Sequence, residues 1–307
     1  MKNKIIIISV IIIIILTTLS ILVYANKEDR LVSERKLDTI SIEQISRVLE
    51  PKDINKLAVN KKEDVINIAN SYLQNFESKA KSIGKSEELT IEYMHRGLWK
   101  RNEIMVDTKD YSFTINADTG KLTNYSKHVK EFPKCKLLRE EIEIIANKLF
   151  KKTDICNVDD YKMTYLEEYE EGVWCVGYVK KYGDLINNGE FVKFHFFPQT
   201  EEIWVLGTDE IKYDNNEILI SEEIARKVAN QYLEKSVATD MKIYLDIVNP
   251  NEFLSTEKLN VNEIYTFVPY MRKAYVCEFN NKGKTQIYVD CTTGDVIGGT
   301  NILGGDF

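Results

Sequence analysis

The residues best able to do chemistry are few and widely spaced in this 307-residue chain. Its histidines, His95, His128 and His195, form no H-E-x-x-H motif, and no two share a helical face. His195 alternates with Phe194 and Phe196 on a predicted strand, which puts the imidazole on the opposite side from both rings. The chain also lacks G-x-S-x-G, P-loop and G-x-G-x-x-G motifs. We therefore predict no catalytic residues, no cofactor-binding residues and no metal ligands.

The thiols give no stronger signal. The five cysteines are Cys135, Cys156, Cys175, Cys277 and Cys291. None lies in a C-x-x-C motif, and their odd number leaves at least one unpaired. A hairpin turning near Lys282-Gly283 would place Cys277 opposite about Gln286–Tyr288, so Cys291 would lie roughly 13 Å away, beyond the ~7 Å limit for a disulfide. We predict small apolar core residues, since nothing favours a cysteine paired with a histidine from elsewhere in the chain.

Two further groups of residues have both a functional and a structural interpretation. The run Glu167–Glu171 is acidic except for Tyr169 and leads into Gly172. It could bind a cation or a basic partner, but a solvated hairpin tip fits better, because calcium loops need alternating oxygen ligands around a glycine. Trp99, Trp174 and Trp204 could belong to an interaction surface, although aromatic residues on strands are more often core.

Composition narrows the possible partners. With 44% hydrophobic and 29% charged residues, the chain is globular. Its formal net charge of −7 opposes binding to nucleic acid or to anionic lipid headgroups. Basic or neutral proteins remain the expected partners, and no cofactor is expected.

The amino terminus predicts a membrane segment. Ile5–Val23 carries no charge, and its 19 residues would reach roughly 28 Å as a helix, about the thickness of the bilayer core. Lys2 and Lys4 precede it, so the amino end is predicted to be cytoplasmic and the rest to lie outside the membrane. Val23-Tyr24-Ala25 resembles a signal-peptidase site. We predict a single-pass protein of the cell membrane, or a secreted one if it is cleaved after Ala25.

A threefold repeat is the clearest internal pattern. Amphipathic helical stripes surround Ala69, Ala146 and Ala229, and β-type sequence follows each of them. The strand ends Phe113–Leu122 and Ile287–Val296 align without a gap, each with Thr-Gly in a turn where glycine supplies a positive φ and Asp or Thr caps the turn. The third helix has Ser221 as a predicted N-cap. In the middle copy, Phe194–Ile203, Glu201 stands in place of the glycine.

These patterns predict an α+β fold, with tandem repeats of one helix packed on a three- to four-stranded antiparallel sheet, after an N-terminal hydrophobic helix. The predicted domains are an anchor or signal peptide at 1–25, a connector at 26–60, and units at 61–126, 133–207 and 218–300. Lys127–Glu131 and Thr208–Asn216 are the polar joints between units. In the connector, a short amphipathic helix that Pro51 ends is predicted from Ile42, Ile45, Val48 and Leu49.

The helix, the strands and the closing turn resemble the PepSY domain family, most clearly at Ile287–Val296 and Phe113–Leu122. The third unit, Ser221–Ile297, is the most similar, and the middle unit departs from the pattern at Glu201. The similarity covers most of the chain outside residues 1–60. It implies an extracytoplasmic, often membrane-anchored bacterial protein that binds or restrains a peptidase, and it brings no catalytic residues.

The sequence therefore favours a non-catalytic binding or regulatory protein that works outside the membrane on a protein partner such as a peptidase or cell-wall hydrolase. The alternative is a structural scaffold or spacer in a bacterial envelope or spore assembly. An enzyme ranks third, because no catalytic set is recognisable.

Overall fold

A computed structural model describes residues 40–41, 46–77, 80–84, 89–96, 101–232, 241–251, 266–268, 270–280 and 283–303. The apolar segment Ile5–Val23 and the cleavage site after Ala25 lie outside these ranges, so the anchor and its processing stay predictions. None of the described helices combines the length and the apolar character that crossing a bilayer requires.

Three of the four α-helices in the described residues follow the predicted stripes around Ala69, Ala146 and Ala229. The helices are α1 (Pro51–Ile54), α2 (Lys62–Phe76), α3 (Arg139–Thr153) and α4 (Glu222–Tyr232), and a 3-10 turn covers Val158–Asp160. Ala69, Ala146 and Ala229 lie on the buried sides of α2, α3 and α4, and each is fully buried. Ser221 is the predicted N-cap of α4: its Oγ accepts a hydrogen bond of 3.3 Å from the Ile224 amide.

Strands make up most of the remaining described chain. They are β1 (Ile40–Ser41), β2 (Ser46–Val48), β3 (Thr90–Arg96), β4 (Arg101–Asp107), β5 (Tyr111–Asn116), β6 (Leu122–Lys127), β7 (Tyr161–Glu170), β8 (Val173–Tyr182), β9 (Leu185–Phe197), β10 (Glu202–Glu210), β11 (Lys212–Tyr213), β12 (Lys242–Val248), β13 (Thr266–Phe267), β14 (Tyr270–Asn280), β15 (Gly283–Asp290) and β16 (Val296–Leu303).

Fourteen of these strands join in one sheet, in the order β16-β15-β14-β12-β9-β10-β6-β5-β4-β3-β2. Strand β11 lies beside β14, and β7 joins β9 through β8. The pairs β11–β14 and β12–β9 are parallel and the other pairs are antiparallel, so the sheet is mixed. Strands β1 and β13 form a separate two-stranded sheet.

This architecture corrects the predicted fold class. Tandem units, each with its own three- to four-stranded antiparallel sheet, are wrong, because the strands form a single mixed sheet. The first and second predicted units share one sheet because β6 and β10, which follow the closing turns, pair directly with Leu206 opposite Tyr125. The predicted joint Thr208–Asn216 contains the end of β10 and all of β11, so much of it is strand.

A second correction concerns the segment before Pro51. The predicted helix there is wrong for Ser46–Val48, which is strand β2 and pairs with β3. Pro51 does not end a helix but begins α1. Proline suits the first helical position, because the amide hydrogen that it lacks would have no partner there and its φ is already helical.

The core lies mainly between the helices and one face of the sheet. The first cluster of buried side chains includes Leu73 of α2, Leu149 of α3 and Leu206 of β10, so α2 and α3 cover one continuous core. Helix α4 covers a second cluster with Cys277 and Ile287. These two residues lie opposite each other in β14 and β15, which confirms the predicted hairpin register, and all five cysteines are free thiols.

The three closing turns share one backbone feature. Gly120, Glu201 and Gly294 have φ values of 71°, 55° and 79°, which confirms the positive φ predicted for the two glycines. Asp290 Oδ1 accepts hydrogen bonds of 2.8 and 3.1 Å from the two amides that follow Cys291, as an Asx turn requires. Phe197 occupies the corresponding place in the middle turn, which therefore lacks both the glycine and this cap.

Candidate interaction surface

Strands β7–β10 carry different residues on their two faces, because side chains alternate along a strand. Phe194 and Phe196 are fully buried in the core beneath α3, whereas His195 between them faces the other side, as predicted. Cys175 of β8 lies directly opposite His195 and shares that side. We call this side of the four strands the helix-free face.

Aromatic rings cluster on the helix-free face. The cluster consists of Phe132, Tyr169, His195, Phe197 and Trp204. The Tyr165 hydroxyl lies beside it, 3.8 Å from Cys175 Sγ. Tyr169 meets His195 edge to face with ring centroids 4.6 Å apart, and Trp204 contacts the same imidazole at 5.9 Å. Phe132 packs on Trp204 at 4.8 Å. Tyr169 is 56% exposed and Trp204 is half-buried, so the cluster is open to solvent on one side.

Cys175 and His195 form the one cysteine–histidine contact among the hydrogen bonds of the described residues, with Sγ 3.4 Å from Nε2. Burial raises the pKa of the Cys175 thiol, an effect that Tyr165 and Lys193 partly offset. Burial and the positive charge of Lys193 lower the pKa of His195. Both shifts favour the uncharged forms, so a neutral thiol faces a neutral imidazole. A cysteine nucleophile requires a thiolate, which this environment disfavours.

Charged groups surround the aromatic cluster. Glu167 lies opposite Cys175 on β7 and is exposed, as is Glu171 at the following turn. This confirms the predicted solvated hairpin tip. The ammonium of Lys193 lies 5.6 Å from the centroid of the Tyr165 ring. Lys134 pairs with Glu171 at 3.7 Å, so the rim of the cluster carries charges of both signs.

A separate cleft of about 880 Å³ opens where the pairing of β6 with β10 ends. Arg101 crosses it, with Nε 2.7 Å from Glu103 and Nη1 3.2 Å from Asp209. Burial raises the pKa of Asp209 although Arg101 acts against this. Lys180, also in the cleft wall, binds the buried carboxylate of Glu190 at 2.6 Å. Two of the four basic residues that line this cleft, Arg101 and Lys180, therefore bind carboxylates of the chain itself.

The tryptophans separate into different environments. Trp174 packs on the helix-covered core, where the Arg139 guanidinium lies 5.8 Å from its ring, whereas Trp204 is on the helix-free face. Trp99 lies outside the described residues. No group of three His, Cys, Asp or Glu side chains in the described ranges could hold a metal ion. Sequence alone did not single out Trp204 or Tyr169, because their contacts depend on pairing across four strands.

Comparisons with known proteins assign no family. No family model matches the chain, and no curated protein matches it. The Bacillus megaterium YpeB C-terminal domain is a structural neighbour, with 11% sequence identity and a TM-score of 0.42 over 79% of this chain and 97% of that domain. At so low an identity and TM-score, the similarity assigns neither a function nor a partner.

Proposed function

We propose that this protein is a non-catalytic binding or regulatory protein that holds a protein partner on its helix-free face. The observation that carries the proposal is the open aromatic cluster around Tyr169 and Trp204. Tyrosine and tryptophan dominate the energetics of protein interfaces, because they bury large areas with little loss of side-chain freedom. Rings that serve only to fill the core would be buried, whereas Tyr169 is largely exposed.

The non-catalytic part of the proposal is supported by the state of Cys175 and His195. The pKa of the thiol is raised and that of the imidazole is lowered, which is the reverse of what an activated cysteine needs. Contact between the two side chains is therefore better explained by packing within the aromatic cluster.

Charge indicates the nature of the partner. Glu167 is exposed beside the cluster, and the whole chain has a net charge of −7. A basic or neutral protein surface is complementary to it. The resemblance of the closing turns to the PepSY family favours a peptidase or cell-wall hydrolase, met outside the membrane to which Ile5–Val23 would anchor the chain.

The test combines binding with hydrolase activity. Purified protein is added to candidate secreted hydrolases, and both the dissociation constant and the hydrolytic rate are measured. Replacing Tyr169 and Trp204 together by serine is expected to weaken binding at least tenfold, because each ring is a candidate hot spot. Ile144→Ser is the matched control, since Ile144 is 69% exposed on α3. If the double variant binds the hydrolase as tightly as Ile144→Ser does, the proposal is refuted. Exclusive association with a non-enzymatic envelope component would favour a scaffold.

A further inference from the structure

A second pocket, of about 470 Å³, lies on the side of β12, β14 and β15 that α4 does not cover. Val276 and Tyr288 line this pocket. They pair across β14 and β15 and belong to a small buried apolar cluster. Tyr244 and Asp246 of β12 line it from the neighbouring strand, and alternation places both on this same face. The pocket thus combines tyrosine walls with one carboxylate.

Asp246 has no counter-charge within the described chain. Its carboxylate makes one local hydrogen bond, in which Oδ1 accepts from the Ile247 amide at 2.8 Å. No salt bridge of the described residues includes it. Burial raises the pKa of this carboxyl, and the Ile247 amide only partly offsets the rise.

The charged groups nearest along the same face are otherwise engaged. The Arg272 guanidinium binds both Asp290 and Asp214. At the other end of β12, Lys242 lies 5.2 Å from the centroid of the Tyr244 ring and opposite Glu278. Glu278 in turn accepts a hydrogen bond of 2.9 Å from Gln286. These contacts leave Asp246 as the carboxylate that a ligand in the pocket would meet.

We propose that this pocket binds a guanidinium group, presented by an arginine side chain, between Tyr244 and Tyr288 with its charge against Asp246. A planar guanidinium stacks on aromatic rings and forms a fork of donors that matches a carboxylate. It also supplies the positive charge that a desolvated carboxylate requires. The inference does not rest on the proposed function, because Tyr244, Asp246 and Tyr288 come from β12 and β15. The pocket also borders Asn188 and Gly189 of β9, but neither belongs to the aromatic cluster.

The test uses N-acetyl-arginine amide as the probe and its neutral isostere, N-acetyl-citrulline amide, as the ligand control. Each ligand is titrated into the full-length protein, and binding is measured by isothermal titration calorimetry. We expect saturable binding of the arginine probe, at least tenfold weaker binding of citrulline, and at least a tenfold loss in Asp246→Asn. Asp107→Asn, which changes an exposed carboxylate on distant β4, should bind like the wild type.

Folding of the variant is checked independently. The pKa of Asp246 is raised in the folded protein, so this group lowers the stability of the fold as pH rises through that pKa. Asp246→Asn removes the charge and should therefore keep or raise the Tm at neutral pH. Tyr288→Leu removes one aromatic wall. It should weaken binding of the arginine probe without creating a preference for the citrulline probe. Absence of saturable binding, or equal affinity of wild type and Asp246→Asn, would overturn the inference. Binding of lysine amide as tightly as arginine amide would overturn the assignment to guanidinium.

Discussion

The two faces of strands β7–β10 are built from the same stretches of chain and have opposite environments. Beneath α3, the rings of Phe150 and Tyr178 stack at 3.9 Å, and Phe194 is fully buried. On the helix-free face, Tyr169 and His195 meet edge to face, and Tyr169 is 56% exposed. Aromatic content alone therefore does not distinguish core from binding surface. The distinction comes from what covers each face.

The largest expected effect of a substitution is on the helix-covered face. Phe194→Ala should lower the free energy of unfolding by about 3–5 kcal/mol, because it removes a fully buried ring and leaves a cavity. Trp204→Ala, on the other face, should cost less, about 1–2 kcal/mol, since that ring is only partly buried. Chemical denaturation measures both. Similar losses for the two variants would remove the distinction between the faces.

A smaller effect tests how tightly the helix-free face is packed near its centre. A Cβ added at Gly177 would lie 2.2 Å from Tyr165 Cε1, so Gly177→Ala must displace that ring. We expect a loss of about 1–3 kcal/mol, as overpacking typically causes. Tyr165→Ala in the same chain should recover most of that loss. A double-mutant cycle without coupling between the two positions would show that the ring does not rest on Gly177.

The closing turns give a reference that depends on neither face. A Cβ at Gly294 would have its nearest neighbour at 3.9 Å, so Gly294→Ala should cost only the positive φ, about 1–2 kcal/mol. Glu201 already bears that strain, and its carboxylate lies 2.5 Å from Lys148. Glu201→Gly should therefore change stability by about 1 kcal/mol or less in the stabilising direction, because an exposed pair contributes little. A clear destabilisation by Glu201→Gly would contradict this.

Local patterns in the sequence were sufficient for α2, α3 and α4, for the turns and for the orientation of His195, but not for the segment before Pro51, which is strand β2. The sheet was not predictable in the same way, because β6 and β10 follow the closing turns, where the repeat pattern predicts the ends of units and the joints between them. Their pairing, with Leu206 opposite Tyr125, joins residues far apart in the chain, and no local period records it. The candidate surface was missed for the same reason: Tyr169, His195 and Trp204 lie on three different strands.

The smallest expected effect concerns the thiol on the helix-free face. Because the pKa of Cys175 is raised, its thiolate fraction at pH 7 should be below that of a free cysteine. Alkylation by iodoacetamide, followed at the Cys175 peptide by mass spectrometry, should accelerate only at alkaline pH. His195→Ala should change the rate less than about threefold. A rate that is already maximal below pH 7 would indicate a thiolate–imidazolium pair and a catalytic role.

Site-specific photocrosslinking in the cells that naturally produce the protein tests the central claim most directly. A benzophenone-bearing phenylalanine analogue replaces Tyr169 in one full-length variant and Ile144, exposed on α3, in another. The account predicts one discrete protein adduct from position 169, lost when Trp204→Ser is added, and none from position 144. Equal adducts from both positions, or an adduct from 169 that survives Trp204→Ser, would contradict a binding surface on the helix-free face.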